Sequence, residues 1–344
     1  MNAQSAFPGL AGVSGQSTHL FERRENMTFA EKKMQFDQNN PVKESVLVSF
    51  KGVEGFDVYN SSIPFAWGGK RYIYGRVERR EEWARSWVRL FEETGPDEFT
   101  LVKDSMIYQL EDPYISQIGD ELVMGGTHVR YRSGEIDTLY GYFYKGTDLE
   151  DLWYFTTGPD MMKDIRLVQL NDGIGVFSRP RNAHIEKEHG SASIVGFTVI
   201  PEINALSADV IDSARKIEGM FGKGEWGGCN QCYRLDSGLI GIIGHKSYVE
   251  VVPGGEDLSV YVNVSFVFDP KSHKLLDEKI IATRKSFPQG PAKKPNLTDC
   301  VFASGIVMRP DGKADLYSGL GDIFVGRAVI ANPFEGYGNV AADF

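Results

Sequence analysis

The chain has 344 residues, 42% apolar and 24% charged, which are the proportions of an ordinary globular protein. A formal net charge of −10 argues against a sequence-independent polyanion binder, but leaves room for a small phosphate pocket built from a few local cations. Three cysteines (Cys229, Cys232 and Cys300) make no disulfide framework. No apolar run reaches the roughly 20 residues of a membrane span, and residues 1–40 hold no signal-type apolar core, so a reducing, cytoplasmic setting is expected.

Residues 1–40 are rich in Gly, Ser, Gln and Asn, with a charged stretch FERRENMTFAEKKMQF. They are expected to form a flexible extension or arm that leads into a short helix. From residue 41 to 344 the texture is that of one β-rich domain. Runs such as SVLVSF, RYIYGRV, TLYGYFY, SIVGFTVI, GLIGIIGH, VYVNVSFVF and FVGRAVI are heavy in β-branched and aromatic residues, and turn pairs such as Gly68-Gly69, Gly119-Asp120 and Asp311-Gly312 separate them. Helical texture is confined to Glu78–Glu93 and Ala205–Ile217. Within the first, SWVRLFE reads better as a strand over Ser86–Glu92.

One phrase recurs: a polar anchor, a Gly-marked turn about eight residues on, then an apolar strand. It reads NSSIPFAWGGKRYIYGR from Asn60, EDPYISQIGDELVMGG from Glu111 and KDIRLVQLNDGIGVFSR from Lys163, with looser copies from Cys229 and Asp299. Five two-strand units at intervals of roughly 50–70 residues predict an all-β, five-bladed β-propeller with an N-terminal extension, because each unit can bury its apolar faces only against its neighbours. About 60 residues per blade is enough for four strands and their loops. The anchors would then converge on the axis at one end of the inner strands.

The anchors and strand ends carry the candidate chemistry. Asp112 follows Glu111 and precedes Pro113, which biases it away from helix, so an acidic pair stands where a general acid could act or where a turn simply needs Asp. Arg76, Lys163, Arg179 and His245 fall at comparable places in repeated units, and such cations can face one central pocket and hold an anion. Asp322 is expected at the end of the last inner strand. Cys229-Asn-Gln-Cys232 has half the spacing of a zinc site without a second half, so buried free thiols are expected there. Walker and GxSxG motifs are absent from the sequence, and no GxGxxG follows an expected strand.

Over about residues 45–335 these phrases, in this order, resemble the β-1,2-mannoside phosphorylases and hydrolases of glycoside hydrolase family 130. The resemblance is closer to a related group once filed as domain of unknown function 1861. Those are mannosyltransferase-phosphorylases (glycosyltransferase family 108) that build and degrade β-1,2-mannan reserves in trypanosomatid parasites. Glu111-Asp112-Pro113 is similar to the family's Glu-Asp-Pro-Arg, whose Asp is the proton donor, with Tyr114 in place of the Arg. Asn60, Ser61 and Arg76 resemble the residues that hold the mannosyl unit. Lys163-Asp164 and Arg179 resemble the third-blade anchor and strand-ending Arg, His245 the His of Tyr-His-Gly, and Tyr317 to Asp322 the family's Tyr-Tyr-Gly-x-x-Asp.

The resemblance implies an inverting phosphorylase or mannosyltransferase acting on mannooligosaccharides. Asp112 would be the acid, Asn60, Ser61, Arg76, Asp164 and Asp322 would bind sugar, and Lys163, Arg179 and His245 would bind phosphate. It implies no metal or cofactor, inorganic phosphate as co-substrate, GDP-mannose as an alternative donor, and neither nucleic acid nor membrane as partner. A phosphorylase needs no base carboxylate, because phosphate is already an anionic nucleophile. A hydrolase on the same fold, with Asp164 or Asp322 as base, and a non-catalytic carbohydrate-binding propeller are the alternatives.

Overall fold

The computed structural model describes residues 27–39 and 41–341. Within them the chain forms five sheets, antiparallel except for the pairing of one short strand, arranged as the blades of a propeller. Blade 2 is β8 (Glu111–Ile118), β9 (Glu121–Arg132), β10 (Glu135–Gly146) and β11 (Trp153–Asp160), paired in chain order. Blade 3 holds β12 (Arg166–Leu170), β13 (Gly173–Ser178), β14 (Val195–Ile200) and β15 (Arg215–Ile217), and blade 4 holds β16 (Trp226–Arg234), β17 (Ile240–Glu250), β18 (Leu258–Asp269) and β19 (Lys274–Ala282). The recurrent phrase is the first hairpin of each blade.

Burial explains the sequence texture. Inner strands are sandwiched between neighbouring blades, so β8 and β16 are buried almost throughout even though they carry polar residues such as Asp112, Ser116, Asn230 and Gln231. The outermost strand β19 alternates exposed and covered positions along most of its length.

The ring is closed by its own beginning. β1 (Ser45–Leu47) joins blade 5 beside β22 (Phe324–Ile330), after β20 (Val301–Met308) and β21 (Ala314–Leu320). Two residues later β2 (Ser49–Lys51) pairs in parallel with β7 (Glu98–Leu101) of blade 1. One short segment therefore ties the last blade to the first. In blade 1 the inner edge is split: β3 (Asp57–Tyr59) and β4 (Phe65–Trp67) both pair with β5 (Lys70–Glu78), and β6 (Trp87–Gly95) follows.

The expected strand over Ser86–Glu92 is β6. The helical expectation over Ala205–Ile217 holds only for Ala208–Asp212, which Ser207 caps through the Val210 amide; Arg215–Ile217 pairs with β14 instead, a tertiary partner overriding local propensity. Ahead of the propeller, helix α1 (Phe29–Asn39) packs Phe29 edge-on against Tyr248 and bonds Lys33 to Asp299 at 2.8 Å. The remainder of the expected N-terminal extension lies outside the described residues.

Candidate active site

An antiparallel hairpin returns to the rim it started from. Each blade therefore delivers the start of its first strand and the end of its second strand to the same end of the ring. There they enclose a cavity of about 480 Å³, lined among others by Asn60, Arg76, Glu111, Asp112, Lys163, Asp164, Arg179, His245 and Asp322. Asn60, Asp112, Asp164 and Asp322 all adopt left-handed backbone, with φ of 44°, 48°, 59° and 59°. Asn and Asp enter this region more readily than other non-glycine residues, and such strained positions concentrate at functional sites.

Two charge clusters line the cavity. In the first, Arg76 donates from Nη1 to Asp112 Oδ1 at 2.8 Å and from Nη2 to Glu111 Oε1 at 3.0 Å. Asn60 Nδ2 donates to the same Asp112 oxygen at 2.9 Å, and Lys163 Nζ stands 3.9 Å from Asp112 Oδ2. Burial raises the Asp112 carboxyl, but Arg76 and Lys163 outweigh it and hold the group below its ordinary value. Glu111 goes the other way: burial raises it more than Arg76 lowers it.

In the second cluster, Arg179 Nη1 lies 2.9 Å from Asp164 Oδ2, and Arg166 Nη2 lies 3.9 Å from Asp164 Oδ1. Burial opposes ionisation of Asp164, yet Arg179, Lys163 and Arg166 together hold it well below the carboxylate range. His245 is packed between Tyr261 and Phe302, with Nδ1 2.8 Å from Asn230 Oδ1. Burial, with Arg179 and Lys163, pulls its pKa down to about 3, so the imidazole is neutral at physiological pH. Asp322 has no ion pair among the described residues, and burial raises it.

Residues 34–336 match the family described as "Protein of unknown function (DUF1861)". The chain belongs to this family. A mannose phosphorylase from Leishmania mexicana, MPT-4, solved with a phosphate ion, is 49% identical; the match covers 96% of this chain and 98% of that one, with a TM-score of 0.86. MPT-1, a GDP-Man-dependent mannosyltransferase from the same organism, is 45% identical over 92% of this chain and 99% of that one, with a TM-score of 0.85. The β-1,2-mannobiose phosphorylase of Listeria innocua shares the fold at 16% identity and a TM-score of 0.58, over 81% of this chain and 91% of that one. No match was found among curated proteins. The chain thus resembles the mannosyltransferase-phosphorylase group in sequence as well as in fold.

In this DUF1861 member eight of the nine residues singled out from the sequence line one cavity. Ser61 is not among the lining residues; its hydroxyl faces Ser304 at 3.5 Å. Asp322 is not at the end of an inner strand. It follows β21, the second strand of blade 5, in the turn before β22, and reaches the cavity because that strand returns to the same rim. The free thiols are buried as expected. Tyr114 packs its ring where a side chain on Gly125 would stand, and Arg166 of blade 3 lies 4.4 Å over that ring.

Sequence reasoning missed Trp83, Arg181, Trp226, Tyr261 and Lys294, all of which line the cavity. Trp226 and Tyr261 meet edge-on at 5.9 Å, and Lys294 lies 4.3 Å over the Trp83 ring. Trp83, Arg181 and Lys294 come from connections between strands, where no repeated phrase marks them.

Proposed function

We propose that the protein is an inverting β-1,2-mannan (mannooligosaccharide) phosphorylase and mannosyltransferase, in which Asp112 supplies the proton and phosphate supplies the nucleophile. The observation that supports this most is the pairing of the cavity's charges. Arg179 engages Asp164 at 2.9 Å and Arg76 engages Asp112 at 2.8 Å, while Lys163 meets Asp112 only at 3.9 Å, so a loosely engaged cation stands beside the acid at the cavity wall. The relationship to a mannose phosphorylase solved with phosphate supports the same reading.

In the phosphorolytic direction a phosphate oxygen attacks the anomeric carbon as the glycosidic C–O bond breaks. A proton passes from Asp112, through a sugar hydroxyl, to the leaving oxygen. Asp112 is ionised in the free protein, so it must gain a proton before it can act. An incoming phosphate draws Lys163 away and adds negative charge nearby, and both changes raise the Asp112 pKa. Neutral His245 can donate or accept a hydrogen bond without adding charge, and Arg179 remains the fixed cation. Phosphate is thereby oriented without a base carboxylate. GDP-mannose would serve as an alternative donor, as the name of MPT-1 describes for that protein.

Incubation with β-1,2-mannotriose, with and without phosphate, tests the reading: mannose 1-phosphate should appear only with phosphate. The second reading, a hydrolase, is favoured by one feature. Asp322 has no ion pair among the described residues and a raised pKa, as a water-activating base would. Mannose release indifferent to phosphate and abolished by Asp322→Asn would establish it.

A further inference from the structure

Glu78 ends β5 and is fully buried, yet it does not line the cavity. Both of its oxygens are committed. Oε1 accepts from the Arg85 amide at 2.8 Å and from the Ser86 hydroxyl at 3.0 Å, and lies 3.9 Å from Arg76 Nη2. Oε2 accepts from the Tyr59 hydroxyl at 2.5 Å and from Lys293.

Those partners belong to three separate pieces of the cavity wall. Arg76 bonds Asp112, and is itself seated by a 2.7 Å bond from Nε to Ser86 and by the Tyr59 ring 4.5 Å beneath it. Residues 79–86 carry Trp83 and Ala84, and Ala84 holds a φ of 54° that an alanine adopts only under constraint. Residues 290–297 carry Lys294, Asn296 and Leu297, and Lys293 also donates its amide to Gly321, next to Asp322. The two loops meet where Lys294 covers Trp83.

A single buried carboxylate thus joins the cation that orients Asp112 to both loops at the cavity mouth. We propose that Glu78 is a positioning residue, setting the Arg76–Asp112 geometry and the closure of the 79–86 and 290–297 loops as one unit. Its effect on the chemistry rests on the proposed phosphorylase reading; its effect on the loops does not. The charge balance gives each substitution a sign. Asp112 is faced by Arg76 from blade 1, by Lys163 and Asp164 from blade 3, by Asp322 from blade 5 and by its neighbour Glu111. Removing the negative charge of Glu78 leaves Arg76 and Lys293 less neutralised, which favours ionised Asp112. Removing the positive charge of Lys293 does the reverse.

The experiment has two arms. Hydrogen exchange on Glu78→Gln and Glu78→Ala should show about tenfold faster exchange in residues 79–86 and 290–297, more strongly in the alanine variant, with blades 3 and 4 unchanged. The Gln variant keeps an acceptor for Arg85 and Ser86, so it remains informative if the Ala variant fails to fold. Exchange that rises throughout the protein, or in neither loop, overturns the proposal.

In the second arm, phosphate-dependent turnover of β-1,2-mannotriose is followed against pH. Glu78→Gln should lower kcat by about tenfold to a hundredfold, and should move the high-pH fall of kcat/KM to lower pH. Lys293→Met should move it to higher pH. Active variants whose pH limbs both stay in place would mean that Glu78 is only structural. If the wild-type protein releases no mannose 1-phosphate, the phosphorylase reading fails, and the exchange arm alone decides the loop unit.

Discussion

Replacing Lys163 by Met tests the electrostatic core of the proposed mechanism. The Lys163 ammonium stands 3.9 Å from Asp112 Oδ2. At an effective dielectric constant of about 20, two unit charges at that separation attract by about 4 kcal/mol, equivalent to about three pKa units. Glu111 and Asp164 share the same ammonium, and water will fill the space the side chain leaves. A net change of about one to two units is therefore expected.

The sign is fixed: losing a cation raises the Asp112 pKa, so the protonated acid persists to higher pH. In Lys163→Met the high-pH fall of kcat/KM, which reports the free enzyme, should move up by about one to two pH units. The phosphate KM should rise by about ten- to a hundredfold, the value of one lost charge-assisted hydrogen bond. Initial rates of mannose 1-phosphate release between pH 5 and 9, with Lys163→Arg as the charge-preserving control, supply both quantities. A limb that stays in place, or moves down, would refute the claim that Lys163 sets the protonation of Asp112.

The other predictions use single changes at the same site. Asp112→Asn keeps a residue that tolerates left-handed backbone, so it should fold normally and still bind β-1,2-mannobiose by calorimetry while losing about 10²–10⁴ in turnover. Asp164→Asn leaves Arg179 buried without its counter-charge and should cost about 3–5 kcal/mol, seen as a fall in Tm of about 4–7 °C. His245 has its folded pKa depressed to about 3 from an ordinary 6.5, so the unfolded chain gains a proton first as pH falls. Stability from this group is complete above the unfolded value and is lost as pH drops from about 6.5 towards 3. His245→Gln should flatten that part of the Tm-against-pH curve, and an unchanged slope would remove His245 as its source.

The repeat was legible in the sequence because each blade must bury both faces of its first hairpin. That requirement writes the same punctuation five times, and the observed strands fall where the phrases place them, as at β8 from Glu111 and β12 from Arg166. The anchors were legible for a related reason: residues at the same place in each repeat must reach the same rim, so Asn60, Arg76, Asp112, Lys163, Asp164, Arg179 and His245 could be grouped before their distances were known. Ser61, next to Asn60 in the connection between β3 and β4, is not among the lining residues, and its hydroxyl faces Ser304 instead.

Trp83, Arg181, Lys294 and the buried Glu78 had no such signal. They belong to connections, or beneath the cavity wall, where position depends on partners far away in the chain. The Lys293–Glu78 contact, for example, spans 215 residues. By itself the sequence determined the architecture, the rim at which the chemistry gathers and the identity of the candidate acid. Only the tertiary structure decided which charges neutralise one another. It gave Asp164 to Arg179 and left Asp112 shared among Arg76, Asn60 and Lys163, because pairing energies depend on distances and burial that no linear order of residues records.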